Sequence, residues 1–223
     1  MKKKFLLVII IVVSVFAGCI FSEDKKNEDP SDITKNETSN ETAEKYYPLK
    51  IGSRWTYEAT VSKPEVNDTT YTDIYEITES VIHNELSYYV ERREIGGVGE
   101  IIIYFRTAEN ILYGVDITNE REELSYLNFD LSIGDSWYPT ATVFEETFDG
   151  IVEMKVPAGT FSNCIKFRAE GYVLYNDIIL KNEIKEYYAP NVGRVKSILI
   201  KTDMNGNIVS SEITNLISYA IPE

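Results

Sequence analysis

The sequence is poor in the residues that most often build metal centres and disulfide frameworks. Its 223 residues contain one histidine, His83, and two cysteines, Cys19 and Cys164. A single histidine excludes a histidine-rich metal centre and the paired-histidine motif of metalloproteases. Two cysteines exclude a disulfide framework, and the chain has no glycine-rich phosphate loop and no paired-cysteine metal motif. We therefore expect no metal and no other cofactor.

Basic residues are outnumbered by acidic ones. The chain has 22 Lys and Arg against 36 Asp and Glu, a net charge of −14. Three of the basic residues precede an apolar run at the N-terminus, so the chain after residue 18 carries 19 of them against the same 36 acids. Proteins that bind nucleic acids or anionic lipid surfaces present basic patches to phosphate groups. This charge balance argues against both kinds of partner.

Residues 1–18 have the pattern of a lipoprotein-type signal peptide: three lysines, an apolar run and a small-residue pair directly before Cys19. We predict cleavage before Cys19 and attachment of lipid to its thiol. The alternative is an uncleaved N-terminal helix, because Phe5 to Phe21 is nearly long enough to span a bilayer. In both cases the lysines stay on the cytoplasmic side. The rest of the chain is then held at the extracytoplasmic face of the cell membrane.

Residues 19–45 form a predicted flexible acidic tether, because they contain too few large apolar side chains to offset the entropy of ordering. The sequence offers three candidate glycosylation sites of the type Asn-X-Thr, at Asn36, Asn40 and Asn67. The alternative is that Asn, Glu and Thr are simply common here and form such triplets by chance.

From Tyr46 onward, short segments rich in Tyr, Ile, Val and Thr are separated by turn residues, a pattern typical of antiparallel β structure. One face of the first segment is apolar, because polar residues alternate there with Trp55, Tyr57, Ala59 and Val61. Asn205-Gly206 favours a tight hairpin near the C-terminus. We predict one all-β or β-rich domain over 46–223, built as a curved antiparallel sheet or half-barrel and without a helix.

An internal similarity suggests that this domain has two duplicated halves, over about 46–127 and 128–223. Leu49-Lys-Ile51-Gly52-Ser-Arg-Trp55 is matched, 82 residues later, by Leu131-Ser-Ile133-Gly134-Asp-Ser-Trp137. We expect Gly52 and Gly134 to permit a turn in each half. We expect Trp55 and Trp137 to anchor each half in a shared core.

Two phrases carry a family resemblance: Val156-Pro157-Ala158-Gly159-Thr160-Phe161 followed by Cys164, and Tyr187-Tyr188-Ala189-Pro190-Asn191-Val192-Gly193. They resemble uncharacterised bacterial or archaeal envelope lipoproteins with the pattern VPAGTF-x-x-C followed by YYAPGVG. Asn191 stands where that pattern has Gly. The resemblance implies a curved antiparallel sheet that some lipid-handling periplasmic proteins also use, and it implies no established activity.

Residues that could support catalysis have simpler interpretations. His83 lies in a predicted hairpin turn, and Cys164 suits a small buried position better than a nucleophile. The acid pairs Glu122-Glu123 and Glu145-Glu146 are expected on solvated faces, since acids are abundant. The segment that begins at Asp203 is better explained by a hairpin turn than by a calcium loop. We therefore predict no catalytic residue.

The remaining hypothesis is a noncatalytic, membrane-anchored module that binds an apolar or amphipathic ligand, such as a lipid, or an envelope partner on the concave side of its sheet. A structural or adhesive surface protein is the first alternative, and it requires an exposed apolar patch outside a packed core. A carboxylate-dependent hydrolase is the second, and it requires two acids that meet in a pocket, at least one with a raised pKa.

Overall fold

The computed structural model describes residues 41–96, 98–115, 122–142, 144–175 and 177–223. The predicted signal peptide, Cys19, Asn36 and Asn40 lie outside the described residues. Strands account for 72% of the structure and helix for 3%, so the all-β prediction is confirmed. Within these ranges, no helix has the length and apolarity required to cross a membrane.

One short helix precedes twelve strands. The elements are α1 (Glu41–Tyr46), β1 (Arg54–Lys63), β2 (Val66–His83), β3 (Leu86–Ile95), β4 (Gly99–Ala108), β5 (Ile111–Val115), β6 (Leu124–Asn128), β7 (Ser136–Trp137), β8 (Glu145–Val156), β9 (Gly159–Tyr175), β10 (Ile178–Ala189), β11 (Gly193–Thr202) and β12 (Ile208–Ala220). The strands form one sheet in the order β6-β5-β4-β3-β2-β1-β12-β11-β10-β9-β8-β7. It is antiparallel and nearly closed into a barrel, which confirms the predicted curved sheet.

The sheet consists of two runs of six strands, β1 to β6 and β7 to β12, and within each run neighbours in sequence are neighbours in the sheet. The runs meet where β1 pairs with β12. At the outer edges, Ser125 of β6 contacts the segment that follows β7. Its backbone N–H donates to Thr140 Oγ1 at 2.7 Å, and its carbonyl accepts from Ala141 N at 3.0 Å. These bonds give partners to edge groups that would otherwise be unpaired.

The two glycine turns have the same geometry. Gly52 and Gly134 have φ angles of +91° and +92°, a region that glycine adopts at little cost. Gly52 N donates to Ile77 O at 2.7 Å, and Gly134 N donates to Phe148 O at 2.8 Å. Each turn is thus bonded to a neighbouring segment in the same way. The duplication of the two halves stays a prediction.

The two tryptophans that follow these turns have different environments. Trp55 is 4% exposed in the core, and its Nε1 donates to Val192 O at 2.5 Å. Trp137 is half-buried on the two-residue edge strand β7, and its Nε1 donates to Glu146 Oε2 at 2.9 Å. Only Trp55 therefore takes the core position that the sequence suggested for both.

The N-terminal boundary of the packed domain lies earlier than predicted. Residues 41–45, assigned to the flexible tether, belong to the short helix α1. Ala43 is fully buried, and Asn191 N donates to Lys45 O at 2.5 Å. A six-residue helix is too short to show a convincing hydrophobic period or to be stable alone, so tertiary contacts hold it.

The different environments of the tryptophans predict different costs of truncation. Trp55→Ala should destabilise the protein by about 3–5 kcal/mol, because it empties a core position and leaves the Val192 carbonyl without its donor. Trp137→Ala, the matched control, should cost about 1–2 kcal/mol. Urea unfolding followed by circular dichroism measures both values. Equal losses would contradict the different packing of the two side chains.

Candidate functional site

Tyr47, directly after α1, defines the inner side of the sheet. Its hydroxyl donates to Glu91 Oε2 on β3 at 2.9 Å. Its ring lies 5.6 Å from the ring of Phe105 on β4 and 6.3 Å from that of Tyr188 on β10. Because these strands come from both runs of the sheet, their side chains must face one shared space. We call this side the concave face.

At the end of the sheet where β1 begins, the concave face is filled by the protein's own aromatic rings. Phe167 contacts Phe129 and Tyr188 with ring centroids 6.0 and 6.1 Å apart. The buried aromatic residues of this core are Tyr46, Trp55, Tyr57, Tyr75, Phe105, Phe129, Phe148, Phe167, Tyr187 and Tyr188. This end supplies the hydrophobic core, so a ligand site must lie elsewhere.

Two ion pairs are enclosed beside this core. Arg93 Nε donates to Glu91 Oε1 at 2.6 Å, and Glu91 is only 1% exposed. Arg194 Nη1 donates to Glu186 Oε1 at 3.0 Å, and its Nη2 donates to the Tyr75 hydroxyl at 3.1 Å. Each partly buried guanidinium thus has a carboxylate partner, and the hydrogen bonds offset the cost of desolvation. We read these pairs as part of the framework.

The opposite end, which we call the hairpin end, is where β1 turns into β2, β9 into β10 and β11 into β12. Here the register places Gly171, Asn182 and Lys201 side by side on β9, β10 and β11. The next row on the same face holds Ala169, Ile184, Leu199, Glu212 and Val61. All of these residues except Asn182 are partly exposed. The hairpin end therefore presents a mixed polar and apolar surface.

Asn182 is the exception in these rows. Its side chain is 0% exposed, and neither its Oδ1 nor its Nδ2 has a hydrogen-bond partner within the described ranges. Opposite it, Gly171 leaves room for the ring of Phe144, since a Cβ at this glycine would overlap that ring. A buried amide without partners costs about 1–3 kcal/mol and is rare in native proteins. Such a group is a candidate for contact with a ligand.

Glu146 lies on the same face, one row from Asn182 and two strands away, because β9, which carries its partner Ala169, lies between β8 and β10. It is 7% exposed, so the prediction of a solvated side chain is wrong for this residue. Burial raises the pKa of its carboxyl from 4.5 to about 8, while the hydrogen bond from Trp137 acts in the opposite direction. Glu146 is therefore largely protonated at neutral pH.

The other acids of the predicted pairs lie apart from this position. Glu145 and Glu122 are exposed, in agreement with the prediction. Glu123 is half-buried. Its carboxylate forms an ion pair with Arg106 and accepts a hydrogen bond from the Tyr88 hydroxyl at 2.7 Å. The structure therefore does not bring the members of the two predicted pairs together in one cleft.

The other residues singled out in the sequence lie in turns, in the core or at the surface. His83 ends β2 at the hairpin to β3, as predicted. Cys164 is fully buried, and burial raises the pKa of its thiol to about 11, which confirms the packing interpretation. Asn67 is exposed near the start of β2. Asp203 accepts hydrogen bonds from the backbone of Asn205 and Asn207 in the β11–β12 turn.

No group of three His, Cys, Asp or Glu side chains in the described segments could hold a metal.

Asn182 was not predicted from the sequence, although a signal for it exists. In β10 the alternation places it between Leu180 and Ile184 on the inward face. A polar residue at an apolar position of a strand is unusual. The sequence does not show whether the amide finds a partner, because that depends on neighbouring strands.

Solved structures share this fold at low sequence identity. A predicted exported protein with a YmcC-like fold from Bacteroides fragilis NCTC 9343 has a TM-score of 0.54 and 15% identity, over 79% of this chain and 99% of that one. A predicted lipoprotein from Parabacteroides distasonis ATCC 8503 has a TM-score of 0.53 and 14% identity, over 78% and 98%. A scan of family models finds no match, and a search of curated proteins finds none either. These likenesses establish the fold alone.

The raised pKa of Glu146 predicts how stability depends on pH. Between about pH 4.5 and 8 the folded protein holds a proton at Glu146 that the unfolded chain has lost, so this group destabilises the fold as pH rises. Glu146→Gln stays neutral, so its stability relative to the wild type should rise by about 1.4 kcal/mol for each pH unit across that window.

Urea unfolding of both proteins from about pH 5 to 8.5 measures this difference. Burial also raises the pKa of Asp73, but that residue is present in both proteins and cancels. A difference in stability that stays constant over the window would contradict the assignment to Glu146.

Proposed function

We propose that the chain is an extracytoplasmic lipoprotein, anchored through Cys19, that binds an amphipathic ligand at the hairpin end of its concave face without catalysing a reaction. The observation that carries the proposal is Asn182, a fully buried amide whose two polar atoms have no partner among the described residues, beside the partly exposed Lys201 and Ile184. Native proteins rarely leave such groups without a partner.

The lining of the hairpin end supports an amphipathic ligand. Lys201, Glu212 and Asn182 supply polar groups, while Leu199 and Ile184 supply apolar surface in the same two rows. Ligand sites typically combine apolar walls with a few convergent polar groups. A wholly apolar ligand would leave the buried Asn182 amide without a partner. A molecule with an apolar part and a hydrogen-bonding headgroup would satisfy both.

Two observations support the location. The sequence up to Cys19 has the order of a lipoprotein signal peptide. Two proteins of the same fold are named as an exported protein and as a lipoprotein. We infer that the extracytoplasmic domain is tethered at its N-terminal side by the chain that precedes α1.

Lipid attachment at Cys19 can be tested directly. In cells of the source organism, or in a host with the lipoprotein pathway, the wild-type chain should incorporate a radiolabelled lipid precursor and sediment with membranes. Cys19→Ser should lose the label, while Cys164→Ser, the matched control, should keep it because Cys164 is buried in the domain. Equal labelling of both variants would disprove attachment at Cys19.

Ligand binding can be tested with a photoreactive leucine analogue in place of Leu199, which faces the concave side. The control carries the analogue in place of Ile200, an adjacent, equally half-buried residue on the opposite face. After irradiation of intact cells, mass spectrometry of the purified chain should find small-molecule adducts at residue 199 and not at residue 200. Equal or absent adducts at both residues would disprove the proposed site.

A second candidate is an adhesive or partner-binding role at the tips of the hairpins. Exposed apolar side chains concentrate there, and they include Val66, Leu174, Ile178, Ile179, Met204 and Ile208. Exposed apolar surface of this kind is typical of interaction sites. Adducts to another protein at Leu174, with none to a small molecule at Leu199, would favour this role.

A further inference from the structure

We propose that Asn182 and Glu146 form the subsite that recognises the ligand's headgroup, and that this headgroup is uncharged and carries hydroxyl or amide groups. This inference rests on the proposed function and adds the chemical class of the ligand. It starts from the two most deeply buried polar side chains on the inward face of the hairpin end, 0% and 7% exposed.

The first step concerns hydrogen-bonding capacity. The Asn182 amide offers one carbonyl acceptor and an NH2 donor, and neither has a partner in the part of the chain that the structure describes. Glu146 uses Oε2 to accept the Trp137 indole N–H. As a neutral carboxyl it also has an O–H to donate. A group that both donates and accepts is needed to satisfy these atoms, and hydroxyls and amides are such groups.

The second step concerns charge. Lys201 lies beside Asn182 in the register, and burial lowers the pKa of its ammonium group, while Glu212 lies diagonally opposite and acts to raise it. Glu186, the other carboxylate that interacts with Glu146, already pairs with Arg194. The opposite charges of Lys201 and Glu212 offset each other, so a charged headgroup would enter this partly desolvated place without a net counter-charge, which is costly.

The third step concerns access. Gly171 has no side chain, and the Phe144 ring occupies the space above it, next to the amide. Phe144 follows the segment whose Thr140 and Ala141 contact Ser125 across the gap between the sheet edges. The proposed contact therefore requires this buried aromatic ring to move aside from the amide. Gly171 itself adds no side chain to the cover.

The experiment uses the full chain in lipid nanodiscs and two photoreactive probes with the same diazirine-labelled acyl chain. One probe is a monoacylglycerol, whose headgroup has two hydroxyls, and the other is the methyl ester, which has no donor. Labelling of peptides that contain residues 178–189 should favour the monoacylglycerol by about five- to tenfold. The free fatty acid, as a charged third probe, should label these peptides less than the monoacylglycerol.

Asn182→Leu should abolish the preference for the monoacylglycerol, and its melting temperature should stay equal or rise, because an unpaired buried amide has been removed. Asn182→Ala serves as a second variant if the larger side chain does not fit. Asn215→Leu, on the outward face of β12, should keep the preference.

Each outcome is decisive. Retention of the preference in both Asn182 variants would overturn the headgroup assignment and indicate that the amide binds only internal water. Equal labelling by the monoacylglycerol and the methyl ester in the wild type would overturn the inferred ligand class. In both cases labelling of the concave face would still support the proposed function. Absence of labelling there by every probe would overturn the function and the inference together.

Discussion

The fold depends on the enclosure of Tyr47 between the two runs of the sheet. Its hydroxyl donates to the buried carboxylate of Glu91, and its ring packs against Phe105 and Tyr188. The pKa of Tyr47 is raised well above its ordinary value, mainly by burial, so the phenol remains a neutral donor. Because β3 and β4 belong to one run of strands and β10 to the other, Tyr47 contacts side chains of both runs on the concave face. A buried charge without such a donor would be costly.

This constraint divides the interior into two regions. At the end near Trp55 the side chains of the N-terminal segment complete an aromatic core with its own ion pairs, as close packing of an interior requires. At the hairpin end the Phe144 ring covers Gly171, and most of the inward side chains around Asn182 are partly exposed and mixed in polarity. The same sheet therefore provides stability at one end and a candidate binding surface at the other.

The predictable features were those that depend on local sequence. Alternation in the segment from Trp55 to Val61 predicted an inward apolar face, and the structure confirms it with buried Trp55, Tyr57 and Ala59. The Gly52 and Gly134 turns were predicted because few other residues tolerate positive φ. The prediction for Glu146 was wrong. An acid beside another acid is expected to be exposed to solvent, but contacts in the folded sheet bury this side chain. Helix α1 was missed because packing, not propensity, holds its six residues.

Local sequence was enough to predict the β architecture, the position of the turns and an anchored, acidic, extracytoplasmic chain. These follow from side-chain period, backbone preferences and composition, which are properties of neighbouring residues. Three features depend on the tertiary structure: the burial of Asn182 without a partner among the described residues, the raised pKa of Glu146, and the different environments of Trp55 and Trp137. Burial and hydrogen-bond satisfaction depend on residues brought together from distant strands. The order of those strands and the register of their pairing set these contacts.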